Sequence, residues 1–353
     1  MRRFRRKSDK GERGGVAVAE PPATQHGDYD GGDEELFAEI NRLVEANRLN
    51  RSRETEGRLV DLRHAAGIRL MDRAPAHPPH PEPDFARLPE GPRLPEFTPV
   101  DVTPELLRAG ILRHGCLLVR GLVNRDDALA FAQQIDRAFA ERERHDQGEP
   151  MTKGYYDEFG PHSRFNSDVG RPWVKEGGGV LASDSPMLSF EMVDLFNQAG
   201  IAGLASAYLG EPALMSLQKT TLRKAEPHVG GAWHQDGAFM GPVRALNLWL
   251  SLSRCGDEAP GLDIVPRRFD YLVKRGGDEA VFDMQVSQRQ AREAAGEVGI
   301  IRPIFEPGDA LLFDELFLHQ TGSDPAMPRP RFAIECWFFG GSAFPSDYAP
   351  IAI

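Results

Sequence analysis

Between positions 213 and 338 the chain carries six short apolar runs, at 213–222, 232–236, 245–252, 261–265, 310–313 and 332–338. Each is rich in leucine, β-branched or aromatic residues and is bounded by glycine or proline. Runs of that length, closed by breakers on both sides, read as strands rather than buried helices. The first part of the chain has a different period. Leu36, Phe37, Ile40, Leu43 and Val44 recur at helical spacing, and Leu59, Leu62 and Ile68 continue the pattern, so 34–72 reads as one or two amphipathic helices. Thr103-Pro104 supplies a cap and a first-turn proline for a helix that runs to Gly115 and into a strand over 116–119. A further helix after Asn124 places Ala128, Phe131, Ile135 and Phe139 on one face, and another spans 186–209, ended by Gly210. Helices first and many short strands later predict a mainly β protein with flanking helices (α+β), a helix-buttressed sandwich or barrel.

Composition divides the remainder. Residues 1–33 are rich in Arg, Gly, Asp and Ala without periodic apolar positions, and are expected to form a disordered basic tail. Nine prolines between 74 and 99 exclude a helix or central strand, so 73–100 is expected to be an extended linker between the helical extension 34–72 and a catalytic body over 101–353. Residues 150–183 lack periodicity but contain Tyr155, Tyr156, Phe159, His162, Arg164, Phe165 and Trp173. They form either an ordered loop over a pocket or a surface loop held by its aromatics.

Net charge is −11, with +5 on residues 1–14 and therefore −16 on the rest; such a body repels a phosphate backbone, so no nucleic-acid partner is expected. No apolar run is long enough for a membrane span, and the basic start is not followed by a secretory apolar stretch. A cytoplasmic protein is expected. Cys116, Cys255 and Cys336 are far apart and form no C-x-x-C pair, so they read as buried thiols in a reducing compartment.

Chemistry concentrates in Gly231-Ala232-Trp233-His234-Gln235-Asp236-Gly237. In a strand, period 2 places His234 and Asp236 on one face and Gln235 on the other. A second imidazole is offered by His319, 83 residues after Asp236. Two histidines and one carboxylate on one face of an octahedral ion leave three positions open, the arrangement of non-haem iron(II) oxygenases. The tripeptide alone is a weak signal, because a strand histidine beside an aspartate is more often a hydrogen-bonded pair. Arg331, twelve residues after His319, strengthens it, since a guanidinium fork matches a carboxylate bidentately. Arg329 is its competitor, but lies between Pro328 and Pro330 in a turn.

The ordered motifs Trp233-His234-Gln235-Asp236, Asn247-Leu248-Trp249-Leu250, Gly261-Leu262-Asp263-Ile264-Val265-Pro266, Pro307-Gly308-Asp309 and His319…Arg331 resemble the phytanoyl-CoA dioxygenase family over residues 100 to 345. The resemblance implies a double-stranded β-helix (jelly-roll, cupin-like) core, an Fe(II) cofactor, and 2-oxoglutarate and O2 as cosubstrates. It implies hydroxylation of an aliphatic C–H bond of a small-molecule or lipid-like substrate, with release of succinate and CO2. Carried over, His234, Asp236 and His319 are the expected iron ligands, Arg331 the anchor of the distal 2-oxoglutarate carboxylate, and Thr321 its hydroxyl helper. Trp249 is either a wall of that pocket or a core tryptophan. Gln218 and Lys219 precede the metal segment, and strand alternation lets only one of them face the cavity. Where the family has Pro-Gly-Ser-His, this chain has Pro266-Arg267-Arg268-Phe269, either a solvated turn or an attractor of acidic substrate groups, and His228 reads as a loop residue. Two other readings remain open at this level: a cupin-like metal-dependent hydrolase or isomerase, and a partner-binding protein with a vestigial metal site.

Overall fold

The structure, a computed structural model, describes residues 27–91, 93–150, 154–165, 170–276 and 285–353; most of the basic tail therefore lies outside the described residues. The strands are β1 Glu96–Phe97, β2 Cys116–Val119, β3 Gly179–Leu181, β4 Ala213–Ala225, β5 Ala245–Ser251, β6 Gly261–Ile264, β7 Ala310–Phe313, β8 His319–Gly322, β9 Arg331–Gly340 and β10 Pro350–Ala352. The helices are α1 Asp33–Leu49, α2 Arg53–Asp72, α3 Pro104–His114, α4 Arg125–Asp146, α5 Gly170–Glu176, α6 Pro186–Gln198, α7 Ile201–Leu209, α8 Gly237–Met240 and α9 Gln288–Ala295.

A major sheet runs β1-β2-β7-β5-β9-β4-β10, with β3 joined to β4, and every pairing but β1–β2 is antiparallel. The minor sheet is the antiparallel pair β6–β8. Single bridges widen it: Ile301 pairs with Ile264 on one edge, His234 with His319 on the other, and Trp233 with Val286 beyond that. Alternation sorts the side chains of the major sheet. Leu246, Leu248, Leu250, Ile334, Cys336 and Phe338 face the helices, while Trp249, Ala333, Trp337 and Phe339 face the space between the sheets. Both faces are covered, which is why β5 reads as an almost unbroken apolar run. The result is the double-stranded β-helix, buttressed by helices on the outer face of its major sheet.

Several elements depart from the sequence reading. The run 232–236 is not a strand: only Trp233 and His234 make bridges, and the chain turns helical at Asp236 (φ −63°, ψ −26°). The helix expected over 186–209 is two, because Gly200 sits at φ +71° and ends the hydrogen-bond ladder of α6. Strand β4 extends to Ala225 and carries a bulge between Met215 and Thr220. Order also begins before position 33, since Tyr29 lies under the Arg69 guanidinium, 5.6 Å from its ring centre. The proline-rich segment contributes only a two-residue edge strand and short 3-10 turns, as missing N–H donors dictate.

The helices α1 and α2 are built into the body. Their apolar face, Leu36, Ile40, Leu59, Leu62, Ala65 and Ala66, closes over Leu214 of β4 and Ala352 of β10. At Gly67 the approach is so close that a Cβ would lie 2.8 Å from the Pro350 carbonyl. Beside it the fully buried His64 donates from Nδ1 to the Pro350 carbonyl (2.8 Å) and accepts the His162 N–H at Nε2 (3.1 Å). The loop bearing His162 is thereby tied to α2, and Tyr155 ties it to α4 by donating to Gln134 (3.0 Å). Its aromatics Tyr155, Tyr156, Phe159 and Phe165 are buried, whereas Trp173 is exposed. His64→Ala leaves a cavity and an unpartnered carbonyl, so it should lower unfolding stability by about 2–4 kcal/mol. A urea midpoint equal to wild type would show that α2 is not part of the cooperative unit.

Candidate metal centre

The two imidazoles are brought together by main chain. His234 N–H donates to the His319 carbonyl (3.0 Å) and His319 N–H donates back to His234 (3.1 Å), a reciprocal antiparallel pair whose side chains leave the sheet on the same face. Their ring centres stand 4.4 Å apart. Asp236 reaches the same spot from the first turn of α8, where its carbonyl accepts the Phe239 and Met240 N–H groups. Its Oδ2 lies 3.8 Å from Nε2 of each histidine. One donor atom from each of the three residues falls within 4.8 Å of the others.

Each ring is also held in one tautomer. Nδ1 of His234 donates to the Ala232 carbonyl (2.8 Å) and Nδ1 of His319 to the Phe317 carbonyl (3.1 Å), which leaves both Nε2 lone pairs facing Asp236. Burial, aided by the neighbouring His234, pushes His319 down to about 4, so it is a neutral imidazole near pH 7 and able to coordinate. Burial alone would raise Asp236, but Lys219, 3.3 Å away, and the two histidines hold its carboxyl below the usual range. The donor set is two neutral nitrogens and one anionic oxygen, all aimed inward. That composition fits a divalent first-row metal ion.

Lys219 and Gln218 occupy the bulge of β4 and part company there. Lys219 turns to Asp236 and to the face of Phe239 (5.4 Å), whereas Gln218 accepts from Ala349 N–H (2.9 Å) and reaches the Asp347 carbonyl. The Gln218 amide thus holds the segment leading into β10.

Behind the triad, β5 and β9 present a polar pocket wall. Arg331 is 1% exposed, places its guanidinium 5.3 Å from the Trp249 ring centre and donates to the Gly261 carbonyl (3.1 Å). Its Nε, the Trp249 Nε1 and the Asn247 Oδ1 are buried and have no partner among the described residues. The three atoms lie on two adjacent strands, and leaving a buried polar group unpaired costs about 1–3 kcal/mol. Arg329 lies outside this wall: its side chain is solvent-exposed and pairs with Glu258. Thr321 shares the His319 face of β8, opposite Leu262 of β6.

Three wall residues were not found by sequence reading: Asn247, Arg223 and Glu335. Glu335 accepts from Arg223 Nε (2.8 Å) and Thr221 (3.3 Å), with Arg331 Nη2 at 3.5 Å. Strand parity with Trp249 and Arg331 was the available signal for Asn247 and Glu335. Beside the triad, the part-exposed Phe239 ring lies 6.0 Å from His234. His228 is exposed and is not one of the clustered ligands.

The double arginine divides: Arg267 is solvent-exposed, whereas Arg268 turns inward. Arg267 donates to the Ala294 carbonyl and covers Phe269, and Arg268 forms an ion pair with buried Asp314, which also accepts the Leu316 N–H (3.1 Å). That pair fixes the turn from which His319 emerges.

With this geometry in view, the family assignment is direct. The model of the phytanoyl-CoA dioxygenase family matches residues 111–324, more than half of the chain, and the chain belongs to that family. No curated protein matches the sequence. Among solved structures, EctD from S. alaskensis with 2-oxoglutarate and 5-hydroxyectoine is similar, with a TM-score of 0.49 and 18% identity, covering 68% of this chain and 78% of that one. EvdO2 from Micromonospora carbonacea var. aurantiaca complexed with 2-oxoglutarate gives 0.43 and 15%, covering 70% and 91%. AviO1 from Streptomyces viridochromogenes Tue57 gives 0.41 and 19%, covering 68% and 96%. At that level of likeness neither substrate nor reaction carries over.

Arg268→Ala should cost roughly 2–3 kcal/mol at neutral pH, because Asp314 is left buried without its counter-ion. Burial pushes the Asp314 carboxyl up, an effect Arg268 partly offsets. Without the arginine its folded value exceeds its unfolded one, so the deficit should shrink as pH falls through the folded value. Urea unfolding of variant and wild type between pH 7 and pH 4 measures this, and a deficit independent of pH would contradict it.

Proposed function

We propose that the protein is an Fe(II)- and 2-oxoglutarate-dependent dioxygenase that hydroxylates an aliphatic C–H bond of a small-molecule or lipid-like substrate, releasing succinate and CO2. The observation that carries this reading is the pairing of an inward-facing His234, Asp236, His319 set with a buried, under-bonded Arg331 behind it. A metal site alone would suit many reactions. A metal site with a guanidinium at its back suits a cosubstrate that chelates at one end and carries a carboxylate at the other.

Each residue then has a task. His234, His319 and Asp236 hold one face of the iron and leave three positions open. Arg331 takes the distal carboxylate through its free Nε edge, with Thr321 donating a hydroxyl and Trp249 forming the apolar wall. Lys219 balances the Asp236 charge and keeps that carboxylate turned inward. Phe313, Phe317 and Trp337, packed about His319, exclude water and so strengthen every charged contact in the site. Iron(II) with 2-oxoglutarate and O2 supplies the oxidising power for C–H hydroxylation, coupled to oxidative decarboxylation of the keto acid. The part-exposed Phe239 ring beside His234 favours a substrate with an apolar face, and the acidic body disfavours one bearing several phosphates.

Asp236→Ala and His319→Ala should each abolish both stoichiometric iron binding and succinate formation under air; retention of bound iron with turnover would defeat the ligand assignment. Arg331→Ala should keep its iron but raise the 2-oxoglutarate requirement ten- to hundredfold, about 1.5–3 kcal/mol for a charged hydrogen-bonded contact. An unchanged requirement would remove Arg331 from the cosubstrate pocket.

A further inference from the structure

Glu335 places a second carboxylate, besides Asp236, inside the barrel, beside the guanidinium that is to receive the cosubstrate. It is held unequally. Arg223 donates from Nε at 2.8 Å, Thr221 donates at 3.3 Å, and Arg331 stands off at 3.5 Å. Arg223 is itself fixed at its other end, where Nη1 donates to the Gly177 carbonyl between α5 and β3 (2.8 Å). Register explains the grouping. Thr221 lies directly across from Glu335, Arg223 from Ala333, and Arg331 is four residues from Glu335 on the same face of β9.

We propose that Arg223 is a positioning residue for cosubstrate binding: by holding Glu335 to itself it keeps Arg331 available to the distal carboxylate of 2-oxoglutarate. This rests on the functional reading above and adds to it a built-in competitor for the anchor. A carboxylate that is only part-exposed and faces the interior is best held by a cationic partner. Without Arg223, the nearest cation to Glu335 is Arg331, and a guanidinium engaged by Glu335 cannot give the same fork to an incoming acid. The contest is between two carboxylates for one arginine, and Arg223 decides it. The direction of the Glu335 carboxyl agrees: burial would push it up, yet Arg223, and after it Arg331, hold it below the ordinary range and charged.

The test is calorimetric titration, under anaerobic conditions, of the full-length Fe(II)-loaded protein with 2-oxoglutarate and, separately, with 2-oxobutyrate, which has the same chelating end but no distal carboxylate. Arg223→Gln should weaken 2-oxoglutarate binding about tenfold, the change that ~1.4 kcal/mol produces, and alter 2-oxobutyrate binding less than about twofold. In the double variant with Glu335→Gln the loss should largely disappear, bringing 2-oxoglutarate affinity to within about threefold of wild type, because no competitor remains. Arg223→Lys, which keeps the charge, should rescue most of the loss. An Arg223→Gln penalty of equal size with and without Glu335, or one shared by both keto acids, would overturn the proposal. If Arg223→Gln does not fold, Glu335→Gln alone decides: it should tighten 2-oxoglutarate binding selectively, and unchanged or weaker binding overturns the idea. A wild-type protein that fails to prefer 2-oxoglutarate over 2-oxobutyrate would instead strike at the functional reading itself.

Discussion

Two main-chain hydrogen bonds between His234 and His319 hold the centre of this molecule together. They join segments 85 residues apart in the chain, and no side chain takes part in them. Because the two residues exchange both N–H···O bonds, their Cα–Cβ vectors leave the minor sheet on one side, and the imidazoles stand together whatever the local sequence. Everything else at the site adjusts to that pair. The Ala232 and Phe317 carbonyls fix the tautomers, α8 swings Asp236 into line, and the Arg268–Asp314 ion pair steadies the turn before His319. A sheet bond is well suited to the task, since a one-residue slip would turn both rings to the opposite face.

The interior of the barrel is a balance of buried charge. Lys219, Arg223 and Arg331 stand with Asp236 and Glu335 in a space otherwise lined by Trp249, Trp337, Phe313 and Phe317. Ions in such a setting are stable only in pairs, and the pairing here leaves a positive excess before any metal arrives. Within that space the Nε of Arg331 and the Nε1 of Trp249 have no partner among the described residues. The helical extension contributes at a distance. By closing over β10 through His64 and Gly67 it stiffens the end of the major sheet next to β4, the strand that carries Lys219 and Arg223.

Much of this was legible along the chain because local physics fixed it. The spacing of Arg331 from His319 singled it out, Trp249 was left between pocket wall and core, and the proline pair around Arg329 assigned that arginine to a turn. Caps were equally readable: Thr103 and Asn124 both accept the N–H bonds their sequence positions imply. The failures have a common origin in long-range geometry. Asp236 was assigned to the right site for an incomplete reason, because the extended run stops at His234 and a helical turn delivers the carboxylate. Alternation could not separate Gln218 from Lys219, since the bulge in β4 shifts the register just there. The arginines at 267 and 268 read as a solvated turn or an attractor of acidic groups; Arg267 is indeed exposed, and only the folded chain shows that Asp314 claims Arg268.

By itself, then, the sequence determined which residue types would be available, their spacing, and where most helices and strands begin and end, because period, capping and breakers act over a few residues. Tertiary structure alone decided that residues 234 and 319 become neighbours and that Gln218 turns away while Lys219 turns in. It also decided that Glu335 is shared between two arginines. Those outcomes depend on register, a bulge and the competition of buried charges for partners, and each of these is set by contacts between segments far apart in the chain.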